Sequence, residues 1–179
     1  MAEETQPRWE GKAIAELKGP TPDQAWPFLA DFCNIHKLLP SIDTCHRVEG
    51  VQGQPGLVRY VASTTSSDNS EPSKVKWATE RLLMMDPSDK CFSYEVVDNN
   101  IGIKSYVATI RVMPMNDEDG KMVGCMIEWS FVAEPVECWG LQDMRSYFNF
   151  CLQSVTKKIE SAIQEASGGS EKDVISLVD

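Results

Sequence analysis

The chain has little positive charge and no long apolar run. It carries 17 lysines and arginines against 27 aspartates and glutamates in 179 residues, which gives a formal net charge of −10. Such an acidic surface repels phosphate backbones and anionic lipid headgroups, so we expect no nucleic-acid partner. No apolar stretch approaches the ~18 residues that a transmembrane helix requires, so we expect no membrane insertion. The net charge also favours a monomer.

The sequence also lacks the motifs of common cofactor sites. It has two histidines, His36 and His46, and it contains no H-E-x-x-H, EF-hand, P-loop or G-x-G-x-x-G pattern. We therefore expect no metal and no cofactor. The six cysteines include no C-x-x-C pair, and the acidic N-terminus does not have the pattern of a secretory signal. We expect a cytoplasmic protein, which could also enter the nucleus, with free thiols that pack as small hydrophobes.

Hydrophobic periodicity divides the chain into one folded domain, residues 9–166, and two polar tails, residues 1–8 and 167–179. A first strand begins at Trp9. Thr21, Pro22 and Gln24 then form the pattern of a capping box at the start of a short helix. A second short helix is predicted to end at Pro40.

From about residue 43 the pattern has period two for ~90 residues, in segments separated by turn residues. The predicted strands are about 44–49, 57–65, 75–84, 91–97, 104–113 and 123–133. Their hairpin-length connections predict an antiparallel meander. After Pro135 a period of 3.6 returns and predicts one helix of about 25 residues, roughly 37 Å long.

This order of elements predicts an α+β fold. A curved seven-stranded antiparallel sheet wraps around the long C-terminal helix, and two short helices follow strand 1. The space between the apolar faces of sheet and helix is a candidate ligand cavity. A flat sheet packed tightly on the helix, without a cavity, is the alternative.

Five polar or aromatic side chains alternate with apolar neighbours along predicted strands: Arg59, Glu80, Tyr94, Tyr106 and Trp129. If they converge, Arg59 can bind a developing oxyanion, Glu80 can transfer a proton, and Tyr106 can donate a hydrogen bond to the same oxygen. The simpler alternative is that Arg59 and Glu80 form a solvated cross-strand ion pair.

Several segments resemble the START-like or birch-pollen-allergen superfamily, also described as polyketide cyclases/dehydrases and lipid transport proteins. They include Trp-Glu-Gly-Lys at 9–12, Val-Arg-Tyr-Val at 58–61, Trp-Ala-Thr-Glu at 77–80 and Glu-Trp-Ser-Phe at 128–131. Their order and spacing, from about residue 9 to 166, are most similar to the plant lachrymatory factor synthases, which are sulfenic-acid isomerases. The resemblance implies a helix-grip fold.

The resemblance also implies roles for individual residues. Arg59 and Glu80 stand where those isomerases have their essential Arg and Glu, Tyr94 and Tyr106 where they have pocket tyrosines, and Trp129 matches an aromatic residue. In that family the Arg holds the sulfenate oxygen while the carboxyl group moves a proton, without a cofactor. The same four residue types at these positions favour a functional pair here.

Two departures from the family pattern concern the substrate. Lys76 stands where those isomerases have Phe, and Val155 replaces a Trp that faces the cavity. Both are candidate ligand-binding positions, and together they would admit a larger or more polar ligand. The gate-loop sequence Ser-Gly-Leu-Pro-Ala of the related abscisic-acid receptors is absent. Two functions stay open: a cofactor-free isomerase, and a non-catalytic carrier of a small hydrophobic molecule.

Overall fold

The computed structural model describes residues 7–65 and 73–172, with side chains through residue 168. Within these ranges the elements follow the predicted order, and most boundaries agree within a few residues. They are β1 (Trp9–Lys18), α1 (Pro22–Ala30), a 3-10 helix (Phe32–Lys37), β2 (Thr44–Glu49), β3 (Val58–Thr65), β4 (Lys74–Asp86), β5 (Cys91–Asn99), β6 (Tyr106–Asn116), β7 (Met122–Ala133) and α2 (Leu141–Lys172).

The seven strands form one antiparallel sheet in the order β1-β7-β6-β5-β4-β3-β2. Strands β2 to β7 form a meander, and β1 pairs with β7 from Trp9 opposite Ala133 to Lys18 opposite Gly124. Register shifts interrupt the β4–β5 ladder on either side of Glu80, and such bulges increase the bend of a sheet. The curved antiparallel sheet with a long C-terminal helix confirms the predicted fold class.

Helix α1 begins as its sequence predicts. The backbone N–H of Gln24 donates to the side-chain oxygen of Thr21 at 3.2 Å, and the Thr21 N–H donates to the Gln24 side chain at 2.9 Å. Pro22 occupies the first turn, where its missing N–H leaves no hydrogen bond unmade. This reciprocal cap positions the chain that leads into the 3-10 helix.

Helix α2 is longer than the sequence pattern predicted. It has 32 residues and continues into the segment that was predicted to be the C-terminal tail. The hydroxyl of Ser167 donates to the carbonyl oxygen of Ile163 at 3.1 Å, and the neighbouring glycines lower helix propensity without ending the helix. Residues 1–6 and 173–179 of the predicted tails lie outside the described residues, so the division into one domain and two tails stays a prediction.

The core lies between the concave face of the sheet and α2. Strand β6 alternates between buried and more exposed residues, as a strand with one buried face must. The predicted apolar stripe of α2 is buried in its central part, at Met144, Phe148, Cys151, Leu152, Val155 and Ile159. Its predicted ends are less buried: Leu141, Ala162 and Ile163 are half-buried, and Ala166 is exposed. In the described part of the chain, no helix combines the length and apolar composition needed to cross a bilayer.

Candidate functional site

A buried ion pair between β3 and β4 forms the centre of the site. Arg59 and Glu80 are direct cross-strand partners, and Nε and Nη2 of Arg59 each lie 2.6 Å from Oε2 of Glu80. The two side chains are only 6% and 13% exposed, so this is not the solvated cross-strand pair of the simpler alternative. Little water reaches this buried pair, so neither charge would be solvated if its partner were removed.

The 3-10 helix also fixes Arg59. Nη1 of Arg59 donates to the carbonyl oxygen of Phe32 at 2.6 Å. The Arg59 Cζ lies 3.8 Å from the centre of the Phe32 ring and 5.2 Å from that of Tyr94, a cation–π arrangement. Burial by itself lowers the pKa of the guanidinium, but the Glu80 carboxylate, helped by smaller effects of Tyr94 and Cys45, raises this pKa above its usual value. Arg59 is therefore a permanent cation held in one orientation.

One oxygen of the carboxylate remains available. Both hydrogen bonds from Arg59 reach Oε2 of Glu80, and none of the described residues donates to Oε1. An ionised carboxylate can accept several hydrogen bonds. Oε1 can therefore accept a proton from a ligand while Arg59 holds the group in place.

Aromatic side chains extend from the ion pair into the core. The ring of Tyr94 lies 6.1 Å from that of Tyr106, and the ring of Phe148 in α2 lies 5.6 Å from Tyr106 and 5.0 Å from Trp129. Burial raises the pKa of both tyrosines, with smaller effects of the Glu80 charge on Tyr94 and of Tyr94 on Tyr106. Their hydroxyl groups therefore stay protonated at neutral pH.

Two buried donors along this aromatic row make no well-formed hydrogen bond within the described residues: the hydroxyl group of Tyr106 and the indole nitrogen of Trp129. The polar groups of Tyr94 and Trp129 nevertheless lie close enough to the Tyr106 hydroxyl group to affect its pKa. An unsatisfied buried polar group costs about 1–3 kcal/mol. An oxygen atom of a bound ligand would recover that free energy.

Comparison with known proteins agrees with this architecture. Residues 16–161 match the family described as polyketide cyclase / dehydrase and lipid transport. The chain belongs to this family. The solved structure of XoxI from Bacillus cereus is similar with a TM-score of 0.66, and the match covers 89% of this chain and 98% of that chain at 20% identity. At this identity the likeness concerns the fold alone, whereas membership of the START-like family indicates a hydrophobic small molecule as the partner.

Lys76 and Val155, the two positions expected to determine which ligand is bound, lie in different surroundings. Val155 is 1% exposed and belongs to the buried stripe of α2. Lys76 lies near the start of β4, opposite Ser63, and is the only predicted site residue that is exposed. The wall of the sheet is open to solvent there, so the ammonium group stays hydrated. The structure therefore does not bring Lys76 into the buried cluster.

Sequence reasoning missed three groups beside Arg59. The carbonyl oxygen of Phe32 has no side-chain signature, and the hydrogen bond that it accepts joins residues 27 positions apart. Cys33 follows Phe32, and Cys45 lies on β2 opposite Val61. Both thiols are free and half-buried, and no short-range pattern distinguishes them from the other cysteines.

The predicted state of the cysteines is partly corrected. All six are free thiols, and three of them are buried as expected. Cys138, however, is exposed, because it occupies the turn before α2 with a positive φ of 65°. Within residues 7–65 and 73–172, no three His, Cys, Asp or Glu side chains are placed to share a metal ion.

A concave region of the surface lies away from this site. It is a surface pocket of about 390 Å³ between the end of β1 and the C-terminal half of α2. Its lining includes Lys18, Pro20, Gln24, Glu160, Ile163 and Gln164. None of the predicted site residues takes part, so this pocket does not enter the functional argument.

Proposed function

We propose that the protein binds a small, mainly apolar metabolite through an oxygen atom at Arg59 and isomerises it by proton transfer through Glu80. The observation that carries the proposal is the buried Arg59–Glu80 pair, in which Arg59 occupies Oε2 at 2.6 Å and leaves Oε1 available. A fixed cation beside an available carboxylate oxygen supplies an oxyanion site and a proton carrier together. Side chains alone perform such a reaction.

The substrate class that we propose is an alkenyl sulfenic acid, as the resemblance to the sulfenic-acid isomerases implies. Glu80 accepts the proton of the S–OH group, and Arg59 and Tyr106 stabilise the negative oxygen. Glu80 then returns the proton to the far carbon of the double bond. The product is a thial S-oxide that contains the same atoms as the substrate. In this proposal Lys76, which is exposed, does not contact the substrate.

The aromatic row supplies the binding energy for the rest of the ligand. Tyr94, Trp129 and Phe148 are buried, and an alkenyl chain that displaces water or fills space beside them gains ~0.8 kcal/mol per buried CH₂ group. Val155 presents a smaller side chain than the Trp of the isomerases. We therefore expect a longer or bulkier chain on the preferred substrate.

Ligand binding also prepares Glu80 for its role. A ligand oxygen that accepts hydrogen bonds from Arg59 competes with Oε2 for the same N–H groups. The carboxylate then accepts fewer hydrogen bonds from the guanidinium. The same contact that fixes the ligand thus starts the proton transfer.

A non-catalytic carrier of a lipid or another hydrophobic metabolite is the second candidate. The family's description as lipid transport favours it. In a carrier, Arg59 and Glu80 would anchor the polar end of the ligand, and no bond would change.

The test is turnover of a freshly generated alkenyl sulfenic acid by the purified protein. We expect the wild type to form the S-oxide and Glu80→Gln to lose about 10²- to 10⁴-fold in rate, the usual contribution of a general acid–base group. Glu95→Gln is the matched control, because Arg81 and Glu95 form a 2.8 Å pair on β4 and β5 with side chains 42% and 33% exposed. We expect this control to keep full turnover.

The alternative outcome selects the carrier. If the folded wild type forms no S-oxide, isomerase activity on this substrate class is rejected. Native mass spectrometry with a fatty acid or a sterol then tests for a retained one-to-one complex. A complex that Arg59→Leu weakens would support the carrier, and no complex would reject it for those ligands.

A further inference from the structure

Two half-buried thiols flank the Arg59–Glu80 pair. Cys45 pairs with Val61, and Arg47, two positions along β2, pairs with Arg59. Cys45 and Arg59 are thus diagonal neighbours on one face of the sheet, a spacing that long side chains span. Cys33 directly follows Phe32, whose carbonyl oxygen accepts a hydrogen bond from Arg59 at 2.6 Å.

The electrostatics of the two thiols agree with this placement. Burial raises the pKa of Cys33 and Cys45, and the positive charge of Arg59 opposes the increase in both. The Glu80 charge also acts on Cys45, as does Cys33. The charge of Arg59 thus acts on both thiols, and that of Glu80 on Cys45. Mainly protonated thiols react slowly with electrophiles from solution, but an electrophile held at Arg59 gains from proximity.

We propose that Cys33 and Cys45 form a covalent capture site for sulfenic acids bound at Arg59. This proposal rests on the proposed function, since it requires the oxygen of a sulfenic acid on the guanidinium. The Sγ atom of one cysteine attacks the sulfenyl sulfur, the S–O bond breaks, and an S–S bond forms. The thiol proton leaves with the hydroxyl group as water. The cysteine sulfur is oxidised and the sulfenyl sulfur is reduced, so the step is balanced without another reagent.

Capture has a consequence for an isomerase. A substrate that remains bound after a failed proton transfer would convert the enzyme into a mixed disulfide. A saturated sulfenic acid has no double bond to receive the proton, so capture is the only reaction open to it at this site. Saturated and alkenyl probes therefore separate capture from isomerisation.

The experiment uses propanesulfenic acid, released in the presence of the full-length protein from its cysteine S-oxide by a separate lyase. Peptide mass spectrometry locates the propylthio group on each cysteine. A parallel reaction with iodoacetamide measures how accessible each thiol is. The quantity compared is the ratio of propylthio adduct to iodoacetamide adduct at each cysteine. We expect this ratio to be about tenfold higher, or more, at Cys33 or Cys45 than at the exposed Cys138, because a bound reagent gains from proximity.

Variants test whether Arg59 directs the reaction. Arg59→Lys, which loses the bidentate hydrogen bonds, is expected to reduce the adduct at Cys33 and Cys45 by about tenfold without changing their iodoacetamide labelling. Cys138→Ser is the control that leaves the adduct at the two flanking thiols unchanged. A further variant combines Cys33→Ser with Cys45→Ser. We expect it to lose the adduct that forms fastest in the wild type.

The results also separate this proposal from the proposed function. Equal adduct-to-iodoacetamide ratios at Cys33, Cys45 and Cys138 would overturn capture, as would an adduct confined to Cys138. Normal turnover of the alkenyl substrate in the same preparation would then leave the isomerase proposal standing. An Arg59-dependent adduct without turnover would support capture and reject the isomerase.

Discussion

The charge of Arg59 depends on two oxygen atoms, Oε2 of Glu80 and the carbonyl of Phe32. Glu80→Ala leaves a buried guanidinium with only one of them, and we expect the free energy of unfolding to fall by about 3–5 kcal/mol. For Glu95→Ala, which breaks an exposed pair, we expect a loss of about 0–1 kcal/mol. Urea unfolding measures both variants. Equal losses would show that the Arg59–Glu80 pair is hydrated in solution.

The unpartnered hydroxyl group of Tyr106 gives a second prediction at the residue scale. Tyr106→Phe removes a buried hydroxyl group that makes no well-formed hydrogen bond within the described residues. We expect the ligand-free variant to be as stable as the wild type or more stable, by about 1 kcal/mol, but to bind its ligand more weakly. Thermal unfolding with and without ligand tests both parts. A large loss of stability without ligand would mean that the hydroxyl group has a structural partner.

Among the elements, β1 and β7 leave no room for a side chain at Gly11. This glycine pairs with Phe131, and a Cβ atom at position 11 would overlap the Phe131 ring. That ring in turn lies 5.9 Å from Tyr106 and 5.0 Å from Phe148. The absence of a side chain at one position of β1 therefore determines where the aromatic row of the site lies.

We expect Gly11→Ala to push the Phe131 ring toward α2 and to reduce the free energy of unfolding by about 1–3 kcal/mol, as overpacking does. Glu10→Ala changes the adjacent exposed residue of β1 and is the control, with little expected effect. Chemical unfolding gives the free energies, and near-ultraviolet circular dichroism reports the aromatic packing. Unchanged stability and spectrum in Gly11→Ala would show that β1 can move away from β7.

The helices and strands were largely predictable from sequence, because the hydrophobic period of a segment indicates a helix or a strand with one buried face. Alternation placed Arg59 on the same face of β3 as Leu57 and Val61 but left open whether that face is buried. The capping box indicated where α1 begins. The end of α2 was not predictable, since Gly-Ser sequences are compatible with both a helix and a tail. The hydrogen bond from Arg59 to the Phe32 carbonyl could not be predicted from sequence either, because it depends on how the 3-10 helix packs against β3.

For the whole molecule, the buried tyrosines make the free energy of unfolding decrease at alkaline pH. Burial raises the pKa of Tyr94 and Tyr106 above that of an unfolded tyrosine, which is about 10. Above pH ~10 the unfolded chain therefore binds fewer protons than the folded one, and stability falls as the pH rises. The stabilisation is fully present below this pH and is lost by up to about 1.4 kcal/mol per pH unit for each tyrosine.

Unfolding midpoints between neutral pH and pH ~11 test this dependence. We expect Tyr94→Phe combined with Tyr106→Phe to have a smaller slope than the wild type. Some slope should remain, because burial also raises the pKa of the Cys33 and Cys45 thiols. An unchanged slope in the double variant would show that the two hydroxyl groups ionise as freely in the folded protein as in the unfolded chain.

The pairing of β1 with β7 also sets the order in which a newly made chain can fold. Trp9 pairs with Ala133, so the first strand of the sheet can pair only after the last strand has been made. During synthesis β1 has no partner, whereas the meander from β2 to β6 can form by neighbouring hairpins. Closure across such a sequence separation is slow compared with hairpin formation. The nascent chain therefore exposes β1 and the uncovered concave face for most of its synthesis, the period in which aggregation competes with folding.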